Sequence, residues 1–183
     1  MNRYLLDKVY VGISGHRDLK KEKISEYKKE LIDILKDIKN SHKDKEIILI
    51  SPLADGADRL FIYAGVELGL RYDVLLPMPL KLYEKDFNDN SKNEFYKLYF
   101  NARDIKEVKL CDTCTNENIS DYNNYRSLQY QKMGRELVDK CDIMIFMFNG
   151  VQNNLIGGTA DILSYAKNKN KNIKIIHCER EDS

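Results

Sequence analysis

Short apolar runs without polar alternation recur along this chain, each followed by a stretch whose apolar residues repeat every three or four positions. Val9 to Ile13, Glu46 to Ile50, Tyr72 to Leu76, Asp142 to Phe148 and Ile173 to His177 read as strands covered on both faces. Ile24, Tyr27, Leu31, Ile34, Leu35 and Ile38 share one face of a helix. Asp55 to Leu70, Ser127 to Lys140 and a segment opening at Gly157-Gly158-Thr159 and running to about Asn168 are helical by the same period. Leu80 to Asn101 reads as a loop and a helix with an inward aromatic stripe, and a further strand is expected near Ile105 to Leu110. Asp142 to Phe148, the most apolar run, is expected at the centre of the sheet. The alternation places the chain in the α/β class, as one domain over residues 1–183 with a mainly parallel sheet and helices on both faces.

Composition excludes several roles. Lys and Arg total 30 against 29 Asp and Glu, so a net charge of +1 supplies no global field for wrapping nucleic acid; no specific nucleic-acid partner is expected. No apolar run is long enough for a membrane helix, and Met1 to Asp7 lacks the apolar stretch of a signal peptide, so a cytoplasmic protein without a membrane partner is expected. Cys141 and Cys178 sit in or beside strand-like runs, where a reduced thiol packs as a small hydrophobe. Cys111-Asp-Thr-Cys114 has the spacing of half a zinc site, but a structural zinc needs four ligands and no second pair follows; no metal and no cofactor are expected. Cys111 to Asn124, polar throughout, reads as the most mobile loop.

Three glycine-bearing turns follow apolar strands or lie just past one: Ser14-Gly15-His16-Arg17, Asp55-Gly56-Ala57-Asp58-Arg59 and Gly157-Gly158-Thr159. Such turns gather at the carboxyl ends of a parallel sheet, where a helix N-terminus offers free N–H groups to an anion. Thr159 adds a hydroxyl, and Arg17 or Arg59 a bidentate guanidinium, so a phosphate-bearing ligand is the expected guest. Taken one at a time, each turn is equally a plain strand-to-helix connection. His16 is a general-base candidate or a hydrogen-bonding cap, and Asp58 and Asp161 favour helix N-termini whether or not they touch a ligand. Tyr83 and Phe87 are placed to stack on a nucleobase.

Val11-Gly12-Ile-Ser14-Gly15-His16-Arg17-Asp-Leu19, Ser51-Pro-Leu-Ala-Asp55-Gly56-Ala57-Asp58-Arg59-Leu60, Leu76-Pro77-Met-Pro-Leu80 with Tyr83 and Asp86-Phe87, Cys141 to Phe146 and Gly157-Gly158-Thr159-Ala-Asp161 together resemble the SLOG superfamily. That group includes the Lonely Guy phosphoribohydrolases and the DNA-processing protein A fold. The resemblance spans about residues 9 to 177 and implies a Rossmann-like sheet that binds nucleotides or ADP-ribose-derived, including cyclic, signals of bacterial antiviral defence. It also implies a homo-oligomer. The ligand-binding set it suggests comprises Gly12, the turns at 14–17 and 55–59, Pro77 and Tyr83 for specificity, Gly157, Gly158, Thr159 and Asp161.

Departures from the enzymes of that group matter. Their P-G-G-x-G-T-x-x-E pattern would place its glutamate at Ile162, with Asp161 one position early, and their arginine falls at Met133, with Lys132 and Arg135 nearby. The fused members carry an effector for which 183 residues leave no room. The expectation is therefore a nucleotide-binding sensor or sequestering protein with no catalytic residue; the rival is a nucleotide N-glycosidase using Asp58 or Asp161.

Overall fold

The computed structural model describes residues 7–181, so the expectation about the N-terminal apolar stretch falls almost wholly on residues 1–6, outside the described part. Among the described residues six strands, β1 (Lys8–Gly15), β2 (Glu46–Ser51), β3 (Arg71–Leu76), β4 (Asp104–Glu107), β5 (Ile143–Phe148) and β6 (Asn172–His177), form one all-parallel sheet in the order β4-β3-β2-β1-β5-β6. The helices are α1 (Ile24–Ser41), α2 (Ala57–Glu67), α3 (Leu80–Tyr83), α4 (Asp89–Tyr99), α5 (Asn124–Lys140) and α6 (Thr159–Asn168). The chain winds outward from β1 to β4, then returns to the other side of β1 for β5 and β6. The order reverses between β1 and β5, which is where an open parallel sheet leaves a crevice at its carboxyl edge.

The strands' period of two explains the layers. In β5, Ile143, Ile145 and Met147 join the core beneath α1 and α2, while Met144, Phe146 and Phe148 join a second core against α5 and α6. Covering both faces leaves no polar position, hence the unbroken apolar run. The helices answer with single stripes: Tyr27, Leu31, Leu35 and Ile38 are the buried residues of α1, and Ala160, Ile162, Leu163 and Ala166 those of α6. Each large apolar side chain so buried contributes about 1.5–3 kcal/mol.

Two expectations need correction, and one pairing was not foreseen. β5 is not central; it lies between β1 and β6, and its apolarity comes from helices on both faces rather than from the middle position. α5 begins at Asn124, three residues before the expected start, because the Asn123 side chain accepts from the Arg126 N–H and caps it. Cys111 and Cys114 are joined in a disulfide, since a turn in which Cys114 N–H donates to the Cys111 carbonyl brings their Cα atoms to 5.0 Å; Cys141 and Cys178 are free and buried. The polar residues that follow this turn hold their own loop together. Thr115 and Asn118 cap each other's N–H groups, Asn123 Nδ2 donates to the Asn118 carbonyl, and Ile119 is fully buried.

Candidate functional site

A cleft of about 330 Å³ opens at the carboxyl edge of the sheet, beside the end of β1. Its walls come from the turn after β1, the segment after β2, side chains of α2, α3 and α5, the loop before α6 with the start of that helix, and Arg180. The first turn is held from both sides. His16 N–H donates to the Met147 carbonyl at the end of β5, and the His16 carbonyl accepts from Ala57 N–H at the start of α2. The His16 ring lies against Asn149, with Nε2 3.1 Å from Oδ1 and 3.3 Å from the backbone nitrogen. Burial is the main influence on this imidazole and lowers its pKa, so it is neutral at pH 7.

Arg17 reaches from that turn into a buried polar web. Its Nη1 lies 3.1 Å from Asp86 Oδ2, the same oxygen that accepts from the Tyr130 hydroxyl, and its guanidinium carbon stands 5.5 Å over the Tyr130 ring. The other Asp86 oxygen accepts from Arg126 Nη2 at 2.6 Å, and Arg126 also donates to the Ile119 and Leu82 carbonyls. Two guanidinium groups thus share one carboxylate that is 1% exposed, which leaves one positive charge in excess. Asp58 lines the cleft nearby. Burial pushes its carboxyl up to about 7, against the N–H of Ala54, which donates to it at 3.1 Å, and against the charges of Arg17 and Arg59. Across the cleft, Gly158 caps α6, whose first N–H groups have no partner within the helix, and Thr159 stands at its first position.

Of the expected site residues, the structure gathers Ser14, Gly15, His16, Arg17, Asp58, Tyr83, Gly157, Gly158 and Thr159 around this cleft. The others lie elsewhere. Gly12 backs onto Cys141 and Met144, where a Cβ would lie 2.7 Å from each sulfur. Gly56, at φ +73°, presses against the Arg17 carbonyl, and Ala57 N–H is spent on His16, so the second glycine turn buttresses the first and presents no phosphate cradle. Asp55 pairs with Arg59, and Arg59 itself donates to the Leu53 carbonyl and Glu94 while lying over Phe87. The Pro77 carbonyl accepts from Gln129. Asp161 accepts from Gln131 Nε2 and Gly157 N–H, outside the cleft. Tyr83 and Phe87 do not stack on anything entering from outside: both rings are buried in one aromatic cluster with Phe95.

The sequence reading missed Tyr130 and Arg126. They lie four apart on α5, so one helical face carries both, and a buried polar stripe of Arg126, Gln129 and Tyr130 was the available signal. It also placed Met133 and Ile162 as the two positions where the Lonely Guy pattern has its arginine and glutamate. Both line the cleft, as apolar side chains.

No protein-family model matches the chain, and neither does any curated protein. Solved structures do match in shape, among them two DNA processing proteins. DNA processing protein A from Streptococcus pneumoniae superposes with a TM-score of 0.59 at 14% identity, over 95% of this chain and 52% of that one. The fold is Rossmann-like, similar to part of DNA processing protein A. The Helicobacter pylori protein of that name gives a TM-score of 0.55 at 16% identity, over 91% of this chain and 64% of its own. This chain therefore spans between about half and two thirds of those proteins, and such identities speak for the Rossmann-like fold alone. The H. pylori protein is described as binding single-stranded DNA. That finding overturns the exclusion of a specific nucleic-acid partner. The exclusion rested on whole-chain charge, which averages away a local excess such as the one around Asp86. No helix of the described residues is long and apolar enough to cross a membrane.

Proposed function

We propose that the cleft binds a phosphate-bearing nucleotide derivative, with the phosphate between the Arg17 turn and the N-terminus of α6. One observation carries the reading: a guanidinium in excess positive charge and a glycine-capped helix N-terminus line the same cleft at the point where strand order reverses. The SLOG resemblance extends this to ADP-ribose-derived, including cyclic, ligands, and to a role as sensor or sequestering protein in antiviral signalling. Calorimetric titration with adenosine monophosphate, ADP-ribose and a cyclic ADP-ribose, alongside mass spectrometry of co-purified small molecules, tests it. Saturable binding by at least one of the three is expected. Their uniform failure together with saturable binding of a short single-stranded oligonucleotide would replace the reading with a strand-binding one.

Asp58 supports a second reading, N-glycosidic hydrolysis, because a carboxyl held near 7 in a cleft is suited to donate a proton to a departing base. Against it stand Met133 and Ile162 at the two positions that carry catalysis in the Lonely Guy pattern, and Asp161 turned to Gln131. We favour binding without turnover. Base release from a nucleoside monophosphate that disappears in Asp58→Asn would reverse that choice.

A further inference from the structure

Three buried side-chain nitrogen or oxygen atoms among the described residues have no hydrogen-bond partner: Arg59 Nη2, Arg126 Nε and the Tyr83 hydroxyl. The two guanidinium nitrogens belong to groups already anchored through their other nitrogens, and neither residue lines the cleft. Tyr83 differs on both counts. It lines the cleft, its side chain is fully buried, and the hydroxyl is its one polar atom. A buried hydroxyl left unpaired costs the fold, so a partner from outside the chain, water or ligand, completes it.

The surroundings define that partner's chemistry. The ring is fixed edge-on to Phe87 and Phe95, with centroids 5.0 and 5.9 Å away, so the hydroxyl cannot swing off to find solvent. Burial pushes the hydroxyl's pKa well up, while the Arg17 charge acts against that shift and Tyr130, Asp58 and Asp86 add to it. Asp86, the nearby carboxylate, is already taken by Arg17, Arg126 and Tyr130. Asp58 spends one oxygen on Ala54 N–H. Two guanidinium groups and a tyrosine hydroxyl thus crowd onto the one Asp86 carboxylate, and what completes this donor-rich region is an anionic acceptor.

We propose that Tyr83 is a specificity-determining residue whose hydroxyl donates to a phosphoryl oxygen of the ligand, alongside Arg17. The inference rests on the reading of the cleft as a phosphate-binding site and assigns a particular donor within it. It also replaces the stacking role that position 83 suggested in the sequence: the ring is structural, and the oxygen does the recognising.

Tyr83→Phe removes one atom and no hydrogen bond made within the protein. The variant, without ligand, should melt at the same temperature as the natural protein or higher, because an unpaired buried hydroxyl is gone. Its affinity for adenosine monophosphate should fall by about tenfold to a hundredfold, the range of one charge-assisted hydrogen bond. Its affinity for adenosine, which lacks the phosphate, should be unchanged, including where both proteins bind it too weakly to measure. A lower melting temperature would mean that the hydroxyl serves the fold, and would overturn the proposal whatever binds. Unchanged affinity for the monophosphate would overturn it and leave the nucleotide reading standing, and so would an equal loss for monophosphate and adenosine. If the natural protein binds no nucleotide but binds inorganic phosphate or pyrophosphate in a Tyr83-dependent way, the nucleotide reading falls and this assignment stands. Binding of none of these probes would overturn both.

Discussion

At the scale of single residues, the cleft combines a cation held in place with a carboxyl held back from ionising. Arg17 makes one ion pair, and its side chain is 37% exposed, so solvent screens that pair and its loss should cost the fold no more than about 1 kcal/mol. Asp86 keeps Arg126 and Tyr130 when Arg17 is gone. Arg17→Ala should therefore remain folded while losing at least about tenfold in affinity for a phosphate-bearing ligand, and unchanged affinity in titration calorimetry would remove Arg17 from the site. Asp58 is the opposite case. Its carboxyl titrates near 3.8 when unfolded and about 7 when folded, because burial penalises the charge. The folded state thus binds a proton more tightly than the unfolded one, so the stability this group contributes is complete below about pH 4 and is lost as pH rises through about 7. Asp58→Asn keeps an oxygen to accept from Ala54 and does not titrate. The variant's melting temperature should gain on the natural protein's between about pH 4 and 7 and hold that gain above, with a ceiling of about 4 kcal/mol at 1.36 kcal/mol per pKa unit. A difference that does not change with pH would assign the titration elsewhere.

At the scale of elements, the three glycine turns that look alike in sequence do three different jobs. The turn after β1 is pinned between Met147 and Ala57 and faces the cleft; the turn before α2 holds it there; the turn before α6 presents a helix N-terminus. Within the last, the strained position is Gly157. It sits at φ +74°, and a Cβ there would come within 2.8 Å of the backbone at Gln131 and Ser127 on α5. Gly158, at φ −75°, has ordinary helix-capping backbone, and a Cβ there would lie 3.2 Å from the Leu155 carbonyl oxygen. Gly157→Ala should cost about 2 kcal/mol or more, from the left-handed backbone and the clash together, while Gly158→Ala should cost under about 1 kcal/mol. Denaturant titration of both variants checks the ordering, and equal losses would show that backbone geometry is the wrong guide to this turn. The elements themselves were legible because burial on one or two faces writes a period into the chain, as in Tyr27, Leu31, Leu35 and Ile38. The partners within the site were not. Tyr130 and Asp86 are 44 residues apart, and no local pattern announces that a helix in the second half will hand its hydroxyl to a carboxylate in the first. Gly56 misled for the same reason: its neighbour is Arg17, which only the fold brings close.

At the scale of the whole molecule, the question is how many phosphates the protein engages at once. A net charge of +1 over 183 residues gives no long-range pull, so electrostatic contributions to binding must come from the cleft. The charged side chains that line it are Arg17, Asp58 and the paired Asp18 and Arg180, with His16 neutral, so the unmatched positive charge is at most that of one guanidinium. A nucleotide seated in about 330 Å³, at the small end of ligand cavities, meets that charge beside the self-compensating Asp18–Arg180 pair. Its affinity should weaken gently with salt, because a mononucleotide has no condensed counterion atmosphere to release and only ordinary screening acts on it. A strand running beyond the cleft would neutralise more phosphates and give a proportionally steeper slope. Measuring affinity for adenosine monophosphate and for a single-stranded oligonucleotide between 50 and 500 mM salt, roughly one decade, separates the two modes. A shallow slope for the nucleotide, with the oligonucleotide competing for the same site, is the expected result. A steep slope for the oligonucleotide without competition would place strand binding on another surface, and would leave the fold shared with DNA processing protein A serving two separate ligand sites.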